Sequence, residues 1–211
     1  MEAYIKVEHV VKKFKENPVL QDISLECEKG KIYGIIGHNG CGKSVFFKCL
    51  CGLEKEDAGV ITVNGKRKKS GELLGSVGII IEEPAFLENK NGLRNLEFLY
   101  ELRNKRNIPY LSHIMETVGL DAKSKKHVGK YSLGMRQRLA IAQAIMENPD
   151  ILILDEPMNG LDKSGVQEMR KLFLSIKEQG KTILLASHSR EDIQVLCDEV
   201  YEMEEGRLKR I

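Results

Sequence analysis

The sequence predicts an α/β fold built on a parallel sheet, and three observations carry that prediction. An apolar run, Ile32 to Ile36, passes through the glycine-rich stretch Gly37 to Ser44 into a helix-forming segment, Val45 to Leu50, which gives strand, loop and helix in that order. A second run, Ile151 to Leu154, is apolar at every position and too short for a helix, the pattern of a strand buried on both faces. A helical segment then leads to a third such run, Ile183 to Ala186, and this strand, helix, strand unit should cross over with a right hand.

The remaining elements follow in order. Near the start, Tyr4, Lys6 and Glu8 alternate with Ile5, Val7 and His9, which predicts a strand with one buried face. A turn is expected at Asn17-Pro18 and a second strand from Val19 to Leu25. Gly52 is placed to close the helix that begins at Val45. Asn64-Gly65 is a strong two-residue hairpin signal, and Val77 to Ile81 is another apolar run. From Gly92 to Val118, Leu93, Leu96, Leu99 and Leu102 recur at helical spacing, with a break at Pro109 and a second helical stretch ending at Gly119, so this region reads as a helical lobe. Between Ser132 and Met146 one helical face carries Met135, Leu139, Ala142 and Ile145. A later helix presents Val166, Met169, Phe173 and Ile176 and stops before Gly180, and Val200 to Ile211 reads as a hairpin around Glu205-Gly206.

Composition narrows the function classes. The 211 residues carry 33 Lys+Arg against 31 Asp+Glu, a formal net charge of +2, and 42% of them are hydrophobic. A chain of this length buries roughly 70% of its unfolded surface, enough for one core with a small lobe. The apolar runs fall far short of the roughly 18 residues of a membrane span, so none is expected. Met1 to Lys15 has no continuous apolar stretch, so no signal peptide is expected either. Cys27, Cys41, Cys49, Cys51 and Cys197 have no paired metal-binding spacing and are expected to be reduced thiols of a cytoplasm. The basic run Lys66, Arg67, Lys68 and Lys69 directly follows the Asn64-Gly65 turn and reads as a solvated hairpin tip. No nucleic-acid partner is expected.

The chemistry is concentrated in a few residues. Gly37-His38-Asn39-Gly40-Cys41-Gly42-Lys43-Ser44 fits GxxxxGK(S/T) and lies between a predicted strand and a predicted helix, the context of a phosphate-binding loop. Its glycines let the backbone wrap a phosphate chain, Lys43 can reach the terminal phosphates, and the Ser44 hydroxyl suits Mg²⁺. A second metal contact is expected where a neighbouring buried strand ends, and Ile151 to Leu154 ends in Asp155-Glu156: Asp155 suits the ion and Glu156 an attacking water. His188, just beyond another buried strand, reads either as a packed histidine or as a γ-phosphate sensor. Cys41 reads as a small filler inside the loop, and Cys49 and Cys51 as helix packing.

These residues together resemble the nucleotide-binding subunit of ATP-binding cassette (ABC) transporters, over nearly the whole length from about Phe14 onward. Ser132-Leu133-Gly134-Met135, led by Tyr131, falls where that family has its LSGGQ signature; Asn159-Gly160-Leu161-Asp162 matches its D-loop and Ser187-His188 its switch histidine. Phe14 falls where an aromatic stacks on adenine, and Val77 to Glu82 where the Q-loop begins. Leu133 and Met135 depart from the signature, and Glu82 replaces the Q-loop glutamine. Both changes are similar to those of exporters of antibiotic and lantibiotic peptides, as is the proline, Pro84, that follows.

The resemblance implies a P-loop NTPase core of ABC type with an antiparallel β subdomain and a small helical subdomain. It implies one domain over 1–211, with 1–82 and 148–211 forming the core and about 83–147 the Q-loop and helical lobe. ATP and Mg²⁺ are the implied cofactors. Gly37, His38, Asn39, Gly40, Cys41, Gly42, Lys43, Ser44 and Val45 would wrap the phosphates, with Phe14 on the base and Asp162 close by. Ser44, Asp155 and Glu82 would face the metal; Glu156, His188 and Lys43 would be catalytic. Two such subunits would sandwich two ATP molecules, each site completed by Ser132 and Gly134 of the other chain, and would drive transmembrane permease subunits from the cytoplasmic face of the membrane. Glu83 is expected to point away from the nucleotide. The implied activity is ATP hydrolysis powering export of antimicrobial peptides or drugs; the alternative is a non-transport or regulatory ABC ATPase working as a clamp, for which the stretch between Glu82 and Ser132 leaves room only for a short lobe.

Overall fold

Two sheets share the chain between them. The structure is a computed structural model and describes residues 3–82 and 85–211; Glu83 and Pro84, beside the Q-loop position, lie outside the described residues. In chain order the elements are β1 (Ile5–Phe14), β2 (Asn17–Cys27), β3 (Ile32–Ile36), α1 (Lys43–Cys51), β4 (Ala58–Val63), β5 (Lys66–Arg67), β6 (Val77–Ile80), α2 (Gly92–Tyr100), α3 (Ile108–Thr117), α4 (Leu133–Ile145), β7 (Ile151–Asp155), α5 (Lys163–Glu178), β8 (Thr182–Ala186), α6 (Arg190–Leu196), β9 (Glu199–Glu204) and β10 (Arg207–Arg210). The first sheet is antiparallel in the order β2-β1-β4-β5, and the second runs β10-β9-β3-β8-β7-β6. In the second sheet every pairing is parallel except that of β10 with β9.

The unbroken apolar strands are explained by packing on both faces. Ile151, Ile153 and Leu184 join a core with α1 and the antiparallel sheet, including Phe46, Phe47 and Leu20. Leu152, Leu154 and Leu185 face the opposite way into a core with α4, α5 and the helical lobe, including Leu96, Leu139 and Phe173. This topology decides where the chemistry lies. Because β8 sits between β3 and β7, with β6 outermost, the segments leaving the C-terminal ends of these parallel strands come out side by side. The carboxyl edge of a parallel sheet is where α/β folds place their ligands.

Local details depart from the sequence reading, each for a physical reason. His9 does not share the buried face of Ile5 and Val7: an extra residue shifts the register after Val7, His9 takes φ 53°, and Val10 becomes the buried residue. Asp22 (φ 62°) does the same on β2, and its Oδ1 lies 2.6 Å from His9 Nδ1. The first turn is at Lys15-Glu16, and Asn17-Pro18 already belong to β2, which lies at a sheet edge where proline is tolerated. The break expected near Pro109 is there, over 101–107 between α2 and α3, and Pro109 itself sits in the first turn of α3, where its missing N–H costs nothing. Leu99 and Leu102 are exposed, since α2 ends at Tyr100 and only Leu96 is fully buried. Lys68 is not at a solvated tip: its side chain is buried with Nζ 3.9 Å from Glu56 Oε2. Asn64-Gly65 does form the β4-β5 turn, with φ of 50° and 72°. Helix α6 was not expected from the sequence.

Candidate functional site

The phosphate loop leaves β3 and closes into α1. Gly37 has φ 150°, and a Cβ there would lie 2.3 Å from the Met203 carbonyl oxygen, so no larger residue fits beside β9. Lys43 is buried and folds back over the loop: Nζ donates to the carbonyl oxygens of Gly37 at 2.8 Å and His38 at 3.1 Å. Cys41 is also buried, with its sulfur 3.9 Å from Lys43 Nζ, which fits the role of filler. His38, Asn39 and Gly40 stand exposed at the mouth. Gly42, the N-cap of α1, has no side chain to occupy the first-turn N–H groups, which leaves the positive end of the helix open to an anion.

Asp155 ends β7, and its Oδ2 accepts from Ser44 Oγ at 2.5 Å. The next residue turns sharply. Glu156 takes φ 49° while its N–H donates to the Ala186 carbonyl at 2.9 Å, holding the turn to β8. His188, just past the end of β8, brings Nε2 to 3.3 Å from Glu156 Oε1 and donates its backbone N–H to Oε2 at 3.4 Å. Burial pushes the Glu156 carboxyl above the usual carboxylate range; His188 opposes the shift and the adjacent Asp155 adds to it.

These groups line a cleft of about 610 Å³ together with Asn39, Gly40, Gly42, Lys43 and Val45. Glu82, with φ 62°, also lines it, but its carboxylate pairs with Lys48 Nζ at 2.5 Å and so reaches the cleft with its charge already balanced. Phe14 is outside the cleft wall. Its ring is 45% exposed with Lys12 Nζ 5.0 Å from the centroid, and Val19 forms the wall instead. Ser132 caps α4 by accepting from the Met135 N–H at 3.2 Å and does not line the cleft of its own chain. Gly134 packs tightly on the D-loop, where a Cβ would come within 2.7 Å of the Gly160 carbonyl oxygen. Asp162 spends its side chain capping α5 through the Gly165 N–H at 2.9 Å, while Asn159 and Gly160 reach the cleft. Gln137 was missed by the sequence reading. It is buried on α4 and donates through Nε2 to the Pro157 carbonyl at 2.9 Å and the Glu156 carbonyl at 3.4 Å.

The donor set suits a phosphate ester and a hard divalent cation. Ser44 and Asp155 supply two oxygens at one point, and no cluster of three or more His, Cys, Asp or Glu ligands occurs among the described residues. A cation here would draw the rest of its shell from phosphate oxygens and water, as Mg²⁺ commonly does. Among the described residues no helix is long and apolar enough to cross a membrane.

Comparison with known proteins agrees with this geometry. The chain is 42% identical over 206 residues to the ABC transporter ATP-binding protein YybJ of Bacillus subtilis, covering 97% of this chain and 94% of that protein. It is 40% identical over 211 residues to the bacitracin transport ATP-binding protein BcrA of Enterococcus faecalis, covering 99% and 68% respectively. The dimeric structure of MJ0796, a bacterial ABC transporter cassette, superposes with a TM-score of 0.88 at 21% identity over 98% of this chain and 97% of that one, a likeness of fold. The model of the ABC transporter family matches residues 20–159, which take in the phosphate loop, the Asp155-Glu156 pair and the helix carrying Gln137, and the chain therefore belongs to that family.

Proposed function

We propose that this chain is the ATP-hydrolysing subunit of a membrane exporter whose cargo is an antimicrobial peptide or a chemically related drug. One observation carries the hydrolytic part: a half-buried carboxylate, Glu156, held against His188 at 3.3 Å and directly following the Asp155 that meets Ser44. The cargo class is supported by the 40% identity to a bacitracin transport protein.

In this reading the loop from Gly37 to Ser44 wraps the phosphates of ATP, and Lys43 exchanges its contacts with the Gly37 and His38 carbonyls for phosphate oxygens. Ser44 and Asp155 hold Mg²⁺, which when bound neutralises phosphate charge. Glu156 orients the attacking water and accepts its proton as the water oxygen bonds to the γ-phosphorus, while the bond from that phosphorus to the β–γ bridging oxygen breaks and ADP leaves with its electron pair. His188 keeps that carboxylate aimed and offers its ring to the γ-phosphate oxygens. A second nucleotide-binding subunit presents Ser132 and Gly134 across the nucleotide, which suits the exposed Ser132 at the N-terminus of α4. Permease subunits in the membrane receive the motion, and the chain works on their cytoplasmic side.

The test is phosphate release by the purified chain with Mg²⁺ and ATP, alone and after co-purification with its membrane partner, with bacitracin added as the probe. Mg²⁺-dependent release, stimulated by the peptide in the complex, is expected. A protein that binds ATP yet releases no phosphate in either setting would refute the hydrolytic assignment; release indifferent to peptide cargo would refute the cargo.

A further inference from the structure

We propose that Arg170 and Asp192 are positioning residues for hydrolysis, an ion pair that touches no nucleotide and acts by fixing the turn that carries His188. This inference rests on the hydrolytic reading above. Arg170 lies on α5 and Asp192 in the first turn of α6, and their side chains are only 4% and 3% exposed. Nε and Nη2 of Arg170 both donate to Asp192 Oδ1, at 2.8 and 2.5 Å. That leaves the second oxygen, Oδ2, to accept from Ser187 Oγ at 3.3 Å.

From Ser187 the network closes around the histidine. The Ser189 N–H donates to Ser187 Oγ at 3.1 Å, and Ser189 Oγ accepts from the Asp192 N–H at 3.2 Å. Both neighbours of His188 are thereby tied to the buried aspartate, while the His188 side chain is itself 48% exposed and, among the described residues, is held by Glu156 alone. A half-exposed ring with one partner takes its direction from its backbone, and that backbone is clamped at either side. The ion pair is an expensive way merely to join two helices, because a well-packed apolar pair in a buried site is commonly as stable. What an apolar pair lacks is the oxygen that reaches Ser187. The outer contact, Arg170 Nη1 to Glu191 Oε1 at 2.7 Å, adds little, since Glu191 is exposed.

The consequence is geometric. Helix α5 begins at the Asp162 cap just after the turn of Glu156 to Leu161, and α6 begins just after His188, so Arg170–Asp192 ties together the helices that follow the two catalytic residues. Loss of the pair leaves the phosphate loop untouched and loosens the 3.3 Å approach of His188 to Glu156. A misplacement of about 1 Å remote from the chemistry can cost roughly 100-fold in rate.

The experiment is a cycle of Asp192→Asn and His188→Ala, separately and combined, read by turnover and by calorimetric affinity for ADP, with Arg170→Lys as a second entry to the same pair should Asp192→Asn fail to fold. A fall in kcat of roughly 10- to 100-fold with ADP affinity unchanged is expected. In the His188→Ala background the second substitution should have no further effect. An equal fall in both backgrounds, or unchanged kcat in a folded variant, would overturn the proposal. A readout independent of turnover is the His188 ring ¹⁵N resonance, assigned by its loss in His188→Ala. Its displacement in Asp192→Asn supports the clamp even if the wild type proves not to hydrolyse ATP, whereas an unmoved resonance overturns it.

Discussion

Gln137 of α4 donates through Nε2 to the Pro157 carbonyl oxygen at 2.9 Å, and with a longer contact to the Glu156 carbonyl it ties α4 to the turn bearing Glu156. Glu156 occupies a left-handed backbone conformation that a non-glycine residue adopts only under restraint, and Gln137 is one of those restraints. On the proposed mechanism, a shift of α4 would reach the Glu156 turn through this contact within one chain.

Gln137→Ala should therefore lower kcat more than it raises KM for ATP, and it should also destabilise the fold by about 1–3 kcal/mol, because a buried carbonyl loses its donor. Urea unfolding and steady-state kinetics on the same preparation check both parts.

Gly78 shows how closely the helical lobe is seated. A Cβ at this position of β6 would lie 1.9 Å from the Ala144 carbonyl oxygen, a backbone atom that cannot swing aside. Gly78→Ala is expected to cost about 3 kcal/mol or more, visible as a lower denaturation midpoint. Gly65→Ala, where nothing lies within 4 Å, is the comparison and should cost less despite its φ of 72°.

The Cys49 and Cys197 thiols should be inert. Burial pushes Cys49 and Cys197 up to about 12, so at neutral pH almost none of either is thiolate. Iodoacetamide at pH 7.5 should leave both unlabelled in the folded protein and label them in denaturant, which mass spectrometry of tryptic peptides measures.

Most of the sheet was legible because its strands are buried on both faces, which leaves an unmistakable run such as Ile151 to Leu154. The positions that misled are those where local chemistry overrides the period. An inserted residue turns His9 outward, and Lys68 turns inward to Glu56. In the site, the phosphate loop, Asp155, Glu156 and His188 come together at the sheet edge, whereas Gln137 could not be found, since a single glutamine on an amphipathic helix carries no spacing that distinguishes it. Phe14, which the resemblance puts on adenine, does not line the cleft, where Val19 stands instead.

Glu156 also sets a pH dependence. Its pKa is raised in the folded state, so it favours folding most below the ordinary carboxylate range, and that contribution is lost as pH rises through the raised value. Glu156→Gln, which removes the partly buried charge, should raise the melting temperature of the nucleotide- and metal-free protein at pH 7.5, with the gain shrinking toward pH 4. Calorimetric scans across that range give the answer.

The central claim is that Glu156 performs hydrolysis in a site whose nucleotide is held by other residues. It is tested most directly by measuring Mg²⁺-dependent phosphate release and ATP affinity of Glu156→Gln beside the wild type, with light scattering on the ATP-bound variant. The expected result is turnover reduced by at least about 100-fold, ATP affinity retained, and a doubled mass in ATP as the unhydrolysed nucleotide holds two chains together. Lys43→Ala should instead lose ATP affinity. Glu156→Gln turning over at the wild-type rate would contradict the account.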